Sequence, residues 1–517
     1  MKNKKMVVLI NPPMTLPENK ANSLVIEKFS GDLPSLSILT LASALQDIDG
    51  LEPVIFDGNV CRLNHMLSFI NDYQKDIICI GLSVITENYH IGLQILEHSR
   101  LINPTIIHIV GNDHFSALPE LCMKNQKHLI DYGFIGNEVI IGFKKIIKQI
   151  ITNQVTHTSF PSLVYRYDDK IIVNSERKQK LFNNVNYQLI DRYYNHSKLY
   201  NEAFDRQLLK KWFGRDFKKS ILIEIARGCI KFKNNNQCSF CSIQSGNIWK
   251  NSVKDGKEAW SSIYRAFISG FDVIFITADE LLLTFYSLLV DMKKNMPLWF
   301  KSISDNEKPI LIGYVRAEGL CIEKNVKLLY ELGFRILYVG IDSGSKQSIY
   351  AMNKAMSYSV DSVEKLYDNN LKSLHLIKKY GLKVDIGFVI GHIGMTTHIL
   401  NENVEFICNL INETPESIGV LDVNILSPDP GSMDYKFLLD TNFAKKYSDK
   451  FKLTISDNDI RDHVSQKWKD QDITSSDDLI NDYIQSLMPD ICINDLLMAK
   501  NKIKKVAQNR GVIFDYD

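Results

Sequence analysis

The chain has 517 residues, of which 45% are apolar and 23% are charged, and its net charge is +1. This is the composition of an ordinary globular protein, long enough for two or three domains that each bury a core. The near-zero net charge argues against nucleic acid or an anionic membrane surface as partner, and no stretch reaches the roughly 18 to 20 apolar residues of a membrane-spanning helix.

The first residues, MKNKKMVVLINPP, join positive charge to a short apolar run that ends at Pro12–Pro13. This run is too short for the apolar region of a signal peptide. We therefore expect a cytoplasmic protein, in which thiols stay reduced and clustered cysteines indicate metal binding or catalysis.

Strand and helix patterns alternate through the N-terminal third. The predicted strands are 6–13, 52–59, 76–86, 105–113 and 132–137, and the helical segments are 36–48, 61–73, 90–101, 117–128 and 138–150. This alternation predicts an α/β domain over 1–150, a doubly wound (Rossmann-like) parallel sheet whose ligand lies beyond the carboxyl ends of the strands. GxGxxG and GxxxxGK[ST] motifs are absent, which disfavours dinucleotide and P-loop nucleotide binding. A hairpin and linker are expected over 151–215.

The second half alternates in the same way. Six predicted strands lie at 220–226, 272–278, 310–316, 335–341, 383–390 and 418–426. Because six βα units are too few for a closed eight-stranded barrel, the pattern predicts a partial (β/α)6 TIM-type barrel over 216–440. Tyr314 and Tyr338, inside two of these strands, are expected to fill the core. The polar sequence of 441–517 predicts a small helical C-terminal domain.

Three of the nine cysteines, Cys229, Cys238 and Cys241, lie close together in the loop after the first predicted barrel strand. The other six stand singly among apolar neighbours and are interpreted as core residues. A structural zinc site uses four ligands, usually as two close pairs. Three thiolates suit a [4Fe–4S] cluster in which one iron has no protein ligand. A zinc site completed by a remote Cys or His is the alternative.

Three cysteines on the first loop of a six-unit barrel, with Phe240 inside the CxxC pair, resemble the radical S-adenosylmethionine (SAM) superfamily. The commonest spacing in that family is CxxxCxxC, whereas eight residues separate Cys229 from Cys238 here. The resemblance implies that the cysteines hold the cluster and that the open iron binds SAM. Reductive cleavage of SAM would then give a 5′-deoxyadenosyl radical that abstracts hydrogen from the substrate.

Further segments at strand ends resemble the SAM-binding motifs of the family, namely TADE (277–280), VGIDSGS (339–345), FVIGHIGMT (388–396) and SPDPGS (427–432). The residues that the resemblance implies for SAM contact are Asp279, Glu280, Arg316, Asp342, Ser343 and Gly391. The first two would lie at the amino group, the arginine at the carboxylate, the next two at the ribose, and the glycine near the adenine.

The N-terminal domain resembles the cobalamin-binding domain of the B12-dependent branch, on the segments LINPP, DLPSLSILTLASAL, GLSVIT, VGND and GFIGNE. The implied cobalamin neighbours are Asn11, Pro12, Ser83, Val84, Thr86, Gly111, Asn112 and Gly136. Asn112 and Asn137 replace two glycines of the pattern. The DxHxxG motif is absent, because Asp113 and His114 are adjacent, so bound cobalamin would have no His ligand and the backbone of 83–86 would approach its lower face. The alternative, a vestigial domain that keeps the fold but binds no cofactor, stays open.

The commonest reaction of that branch is methylation. The resemblance implies methylation of an unactivated carbon of a small-molecule or peptide substrate, with cobalamin as methyl carrier and a flavodoxin- or ferredoxin-type electron donor. The alternatives are a radical rearrangement, ring contraction or cyclisation, and a non-catalytic metal-binding module. Production of 5′-deoxyadenosine would distinguish either radical enzyme from a non-catalytic metal-binding module. S-Adenosylhomocysteine with a mass gain of one methyl separates methylation from rearrangement. The sequence identifies no catalytic side chain and no particular substrate.

Overall fold

The computed structural model describes residues 4–15, 27–28, 33–136, 139–152, 154, 160–175, 185–203, 206–234, 236–243, 250–474 and 477–514. Asn137, one of the two asparagines in place of glycine, lies outside the described residues. The chain forms two compact units. Unit 1 comprises 1–222, 266–272 and 471–475, and unit 2 comprises 223–265, 273–470 and 476–517.

Unit 1 contains a doubly wound sheet. Its strands are β1 (Lys5–Asn11), β2 (Met14–Thr15), β3 (Glu27–Lys28), β4 (Leu51–Asp57), β5 (Ile77–Ser83), β6 (Ile107–Gly111), β7 (Tyr132–Phe134), β8 (Leu163–Tyr167) and β9 (Lys170–Val173). The main sheet has the order β4-β1-β5-β6-β7-β8-β9, while β2 and β3 pair separately. Within this sheet, β4, β1, β5, β6 and β7 run parallel to one another, and their sequence along the sheet is the 2-1-3-4-5 order of flavodoxin-like sheets. The predicted hairpin is β8–β9, which adds two antiparallel strands.

The sequence of β1 explains its central place in this sheet. Its four middle residues, from Val7 to Ile10, are fully buried, as expected of a parallel strand covered on both faces. Pro12 and Pro13 then end the strand, since proline has no N–H to donate to the ladder. Gly58, just after β4, lies against this turn so closely that a Cβ would come within 2.2 Å of the Pro13 nitrogen. Only glycine fits there, and the ends of β1 and β4 therefore meet.

The helices of unit 1 are α1 (Leu36–Leu45), α2 (Leu63–Tyr73), α3 (Tyr89–Ile102), α4 (Asp113–Ala117), α5 (Pro119–Asn125), α6 (Ile140–Thr152), α7 (His196–Ala203) and α8 (Arg206–Phe213). The five predicted helical segments are all present, with ends displaced by a few residues. The predicted segment 117–128 corresponds to α5.

Unit 2 is built on a second sheet. Its strands are β10 (Ser220–Glu224), β11 (Ala226–Arg227), β12 (Lys250–Asn251), β13 (Val273–Thr277), β14 (Ile310–Val315), β15 (Phe334–Asp342), β16 (Lys383–Ile390), β17 (Ile418–Ile425) and β18 (Ile513–Phe514). The order is β10-β13-β14-β15-β16-β17-β18, with parallel pairing from β13 onward, and β11 pairs with β12 alone. The six predicted barrel strands are confirmed. Their parallel α/β arrangement agrees with the predicted fold class.

The helices of unit 2 are α9 (Gly256–Ile268), α10 (Tyr286–Lys294), α11 (Leu298–Ser302), α12 (Ala317–Leu320), α13 (Glu323–Glu331), α14 (Lys346–Ala351), α15 (Val360–Lys379), α16 (Thr397–Glu413), α17 (Met433–Leu439), α18 (Thr441–Phe451), α19 (Asn458–Trp468), α20 (Asp477–Leu487) and α21 (Ile493–Asn509). The helices expected over 441–517 are present, but the described part of this region forms no third compact unit. β18 pairs with β17, and α21 packs on α16, so both extend unit 2.

No helix in the described part of the chain combines the length and hydropathy that crossing a membrane requires.

We expect acid to destabilise the protein, because three of its histidines are buried. Burial lowers the pKa of His108, His114 and His392 to about 4. The unfolded chain binds these protons near the ordinary pKa of 6.5, so stability is intact above pH 6.5 and falls as the pH approaches 4. At pH 5 each histidine is expected to remove about 2 kcal/mol of stability.

Thermal unfolding followed by circular dichroism between pH 7.5 and 5 checks this expectation. A variant of the exposed His375, His375→Gln, is expected to keep the wild-type pH dependence. An unfolding temperature that stays constant down to pH 5 would contradict the assignment.

Candidate functional site

A buried carboxylate cross-links the carboxyl ends of two strands in unit 1. Asp57, the last residue of β4, is 2% exposed. Its Oδ1 accepts a hydrogen bond from the Asn11 side chain at 2.8 Å. Its Oδ2 accepts hydrogen bonds from the Tyr200 hydroxyl at 2.5 Å and from the Ser35 amide at 2.6 Å. The Asp57 amide donates to His196 Nε2 at 3.2 Å. This end of the sheet is therefore fixed by side chains from several elements.

The residues expected to contact cobalamin lie at the same end of the sheet. Ser83 Oγ hydrogen-bonds with Ser37 Oγ at 2.7 Å and accepts a hydrogen bond from the Asn112 side chain at 3.1 Å. The Gly136 amide donates to Ser116 Oγ at 2.9 Å. The strand ends and the turns after them thus bring together Asn11, Pro12, Ser83, Val84, Thr86, Gly111, Asn112 and Gly136. Their contact with cobalamin stays a prediction.

Asn112 keeps the backbone conformation of the glycine that it replaces in the family pattern. Its φ is 83°, and that of Gly136 is 74°. The ψ of Asn112, at −167°, lies outside the left-handed helical region that asparagine tolerates best, in a conformation found almost only at glycine. The substitution therefore preserves the turn after β6, and its side chain adds the hydrogen bond to Ser83.

His114 has both ring nitrogens engaged within unit 1. It is 1% exposed and stacks on Tyr89, with ring centroids 4.2 Å apart. Its Nδ1 hydrogen-bonds with Thr86 Oγ1 at 3.2 Å, and its Nε2 with the Asp472 carbonyl oxygen at 2.9 Å. This agrees with the absence of the DxHxxG motif, because His114 is held as a core residue.

The three cysteines of unit 2 lie on the loop between β11 and β12, in which 230–234 forms a short 3-10 helix. Cys238 is 8% exposed, and Cys229 and Cys241 are half-buried. Burial raises the pKa of the Cys229 thiol to about 11 and also raises that of Cys241, and the neighbouring thiols of the trio add to both rises. The three sulfurs are thus close enough to influence one another. Without metal, Cys229 and Cys241 stay protonated at neutral pH, and a metal centre would displace their protons.

The arrangement differs from a single-ion site. Within the described ranges, no three His, Cys, Asp or Glu side chains converge closely enough to hold one metal ion. In a [4Fe–4S] cube each thiolate binds its own iron, so the ligands need not converge on one point.

Three buried cations surround the thiols. Lys231, Arg316 and Lys354 are 2%, 5% and 8% exposed, and each interacts electrostatically with the buried thiol of the CxxC pair. Arg316 Nη2 lies 2.6 Å from Glu318 Oε1, and Lys354 forms an ion pair with Asp342. Buried charge is stable only when it is compensated. Arg316 and Lys354 already pair with carboxylates, so Lys231 is the cation whose charge the thiolates of a cluster would compensate, and the residues present fit a [4Fe–4S] centre.

Side chains after β13 hold the backbone on both sides of Cys229. Asp279 Oδ2 accepts a hydrogen bond from the preceding amide, that of Gly228, at 2.6 Å. Thr284 Oγ1 accepts one from the following amide at 2.9 Å and donates to Glu280 Oε2 at 2.7 Å. Both acidic residues of the TADE segment therefore position the cluster loop, one directly and one through Thr284.

Glu280 is also committed to its own turn. Its two carboxylate oxygens accept hydrogen bonds from the amides of Leu282, Leu283 and Thr284 at 2.7–3.0 Å, and its side chain is almost fully buried. The contacts of Asp279 and Glu280 with the SAM amino group stay predictions.

We expect Thr284→Val to weaken cluster assembly. Valine keeps the shape of threonine but leaves the Ile230 amide without its acceptor, at a cost of about 1–3 kcal/mol for a buried group. Anaerobic reconstitution followed by iron analysis should give several-fold less bound iron. Thr284→Ser is the matched control and should restore it, because it keeps the hydroxyl. Equal iron in the valine variant and the wild type would contradict this role.

The long interval between Cys229 and Cys238 is held by residues 352–356. Lys231 Nζ donates to the carbonyl oxygen of Asn353 at 2.7 Å and to that of Ala355. The Asn353 side-chain amide donates to Asn236 Oδ1 and to the next carbonyl oxygen, both at 2.7 Å. Asn236 returns a hydrogen bond to the carbonyl of residue 356 at 2.8 Å. The described residues on both sides of position 235 are therefore fastened to a second segment.

The remaining residues expected at SAM follow β15 and β16. Asp342 has φ 59° and pairs with Lys354. Ser343 is fully buried and donates to Asn403 Oδ1 at 2.7 Å. Gly391 has φ 92°, and a Cβ there would lie 3.0 Å from a leucine of α21. Their contacts with SAM, like that of Arg316, stay predictions.

Several residues of this site were not anticipated from the sequence. Lys231, Thr284, Asn353 and Lys354 carry no motif of their own. The one available signal was the position of Lys231 inside the extended cluster loop. The single cysteines also differ from expectation, because Cys492 is exposed whereas Cys61 is buried as expected.

Known proteins share parts of this sequence and of this fold. Residues 22–139 match a family model described as a B12 binding domain. Comparison with curated proteins finds no significant match. The structure is similar to the radical S-adenosylmethionine methyltransferase TsrM from Kitasatospora setae with cobalamin and a [4Fe-4S] cluster bound. The TM-score is 0.61 and the identity 13%, over 85% of this chain and 78% of that one. The fold is that of the cobalamin-dependent radical SAM enzymes.

Two further solved structures are similar to this chain in fold. TsrM with tryptophan substrate and aza-SAM gives a TM-score of 0.58 at 14% identity, over 84% of this chain and 76% of that one. The cobalamin-dependent S-adenosylmethionine radical enzyme OxsB with aqua-cobalamin gives 0.58 at 16% identity, over 88% of this chain. The chain spans 63% of OxsB, less than two thirds of its length. The resemblance to cobalamin-dependent radical SAM enzymes inferred from the motifs is confirmed in the fold.

Proposed function

We propose that the protein is a cobalamin-dependent radical SAM enzyme that methylates an unactivated carbon of a small molecule or peptide. The observation that carries the proposal is the trio Cys229, Cys238 and Cys241, placed on the first loop of a parallel α/β sheet among compensating buried cations. When bound, the cluster with SAM would supply a 5′-deoxyadenosyl radical, and cobalamin would carry the methyl group.

In unit 2, the protein would hold and shape the cluster. The three thiols would bind three irons and leave the fourth for SAM. Asp279 and Thr284 fix the amides on either side of Cys229. In this proposal Arg316, Asp342, Ser343 and Gly391 lie around SAM, as the motifs suggest.

In unit 1, the edge at Asn11, Ser83 and Asn112 would receive cobalamin. The cross-links around Asp57 and Ser83 support this assignment, since they hold the turns in one arrangement. His114 is committed to Thr86 and Asp472, so it would not be available to the cofactor as a ligand.

The proposal includes an electron donor of the flavodoxin or ferredoxin type, because reductive cleavage of SAM consumes an electron. The second partner in the proposal is the substrate, a small molecule or a peptide.

The test uses the anaerobically reconstituted full-length protein with cobalamin, a reductant, SAM carrying a trideuterated methyl group, and a small-molecule and peptide extract. We expect 5′-deoxyadenosine, S-adenosylhomocysteine and a product that carries the labelled methyl group. 5′-Deoxyadenosine without any labelled product would favour rearrangement or cyclisation. Release of neither nucleoside product would contradict a radical SAM activity.

A further inference from the structure

A tyrosine in the middle of β14 faces an open side of the sheet. Tyr314 is 45% exposed, whereas its neighbours Gly313 and Val315 are buried, so the expectation that it fills the core is wrong. Its ring centroid lies 5.2 Å from that of Phe275 and 5.1 Å from that of Tyr338. We call these three rings the aromatic layer.

Strand register places a carboxylate beside this layer. Tyr314 pairs with Tyr338 across β14 and β15, and Tyr338 pairs with Asp385 across β15 and β16. Paired residues of neighbouring strands point to the same face of the sheet. The aromatic layer and Asp385 therefore share one face, and Asp385 Oδ1 accepts a hydrogen bond from the Val420 amide at 2.9 Å.

The next row toward the carboxyl ends of the strands leaves room for a ligand. Gly340 pairs with Gly387, and Gly387 pairs with Asp422. A Cβ built on Gly387 would meet no atom within 4 Å. Gly387 thus leaves an open space, with the aromatic layer one row away and Asp422 beside it, whereas a Cβ on Gly340 would lie 3.2 Å from both Lys354 Nζ and Asp342 Oδ1.

Three carboxylates lie near the aromatic layer. Partial desolvation of the Tyr314 hydroxyl and the nearby carboxylates Asp279, Asp385 and Asp422 raise the pKa of Tyr314. Asp422 is half-buried and accepts a hydrogen bond from the Asn424 side chain at 2.7 Å. The cations toward the cluster loop have partners of their own, as in the ion pairs Arg316–Glu318 and Lys354–Asp342.

We propose that this face binds the ammonium group of an amine-bearing substrate, with Asp422 as its counter-ion and Tyr314 and Tyr338 against its apolar body. A cation gains from carboxylates and from the faces of aromatic rings, whereas an anion would meet repulsion here. The space over Gly387 admits a compact amine. This inference rests on the proposed function, because it names the substrate class of the same enzyme.

The test compares three probes of one shape and different charge on the cluster- and cobalamin-loaded protein. The probes are tyramine, the neutral 4-ethylphenol and the anionic 3-(4-hydroxyphenyl)propionate, and binding is measured by equilibrium dialysis. We expect tyramine to bind at least about tenfold more tightly than either analogue, equivalent to about 1.4 kcal/mol. Asp422→Asn should remove this preference, and Asp462→Asn, at an exposed acid in α19, should keep it.

Equal binding of the three probes, binding of none of them, or a tyramine preference that survives Asp422→Asn would overturn the amine assignment. Dialysis does not depend on SAM cleavage, so failure of this inference is distinct from failure of the proposed function. Tyr314→Leu gives a second reading, because loss of the ring should weaken tyramine binding while leaving Asp422 in place.

Discussion

Replacing Cys238 with alanine is expected to abolish cluster assembly and SAM cleavage. Cys238 is the most buried of the three cysteines, and three buried cations interact with its thiol. Without this thiolate, one iron of the cube loses its protein ligand and the surrounding positive charge loses part of its compensation. Bound iron should fall from about four per chain to near zero, and 5′-deoxyadenosine should fall to background.

The control is Cys408→Ala, which removes a half-buried thiol in α16 outside the cluster loop. Alanine suits a helix, so this variant should assemble the cluster normally. If Cys238→Ala retained wild-type iron, or if both variants lost it equally, the assignment of the trio as cluster ligands would fail.

Lys231→Met is expected to have the second largest effect, because it detaches the long cluster loop from residues 352–356. Methionine retains most of the apolar stem of the lysine but leaves the buried carbonyls of Asn353 and Ala355 without their donor. Each lost partner costs about 1–3 kcal/mol. The substitution also removes a positive charge beside the thiols, and burial already holds the pKa of Lys231 at about 8. We expect the reconstituted protein to lose most of its iron within a desalting step.

Two comparisons make this result specific. Lys257→Met, at an exposed lysine of α9, should retain full iron. Circular dichroism of the metal-free Lys231→Met protein should match the wild type, which would place the defect in the loop and not in the sheet. Iron retention equal to the wild type would show that the contact with 352–356 does not support the cluster.

The strands of both sheets were predictable because each is a short run of apolar residues between turn signals. β1 and β16 are examples, and the structure places them within a few residues of the predicted limits. β18 was missed, since two residues carry no periodicity and it forms only against β17. The separate C-terminal domain was expected from polar composition alone, which does not report where a helix such as α21 packs.

The candidate site was predictable where chemistry depends on residue type and spacing, as in Cys238 and Cys241. The partners that hold it were not. Lys231 and Asn353 are far apart in sequence, and only the folded chain shows the hydrogen bond between them. The exposure of Tyr314 likewise depends on how the neighbouring strands pack, which no local pattern reveals.

The most direct test of the account is the cobalamin and iron content of the full-length protein after anaerobic reconstitution and desalting, read from the visible spectrum and from metal analysis. The account predicts about one cobalamin and about four irons in each chain. Four irons and SAM cleavage without cobalamin would contradict the proposed methyl transfer and leave a radical enzyme whose first domain keeps only the fold.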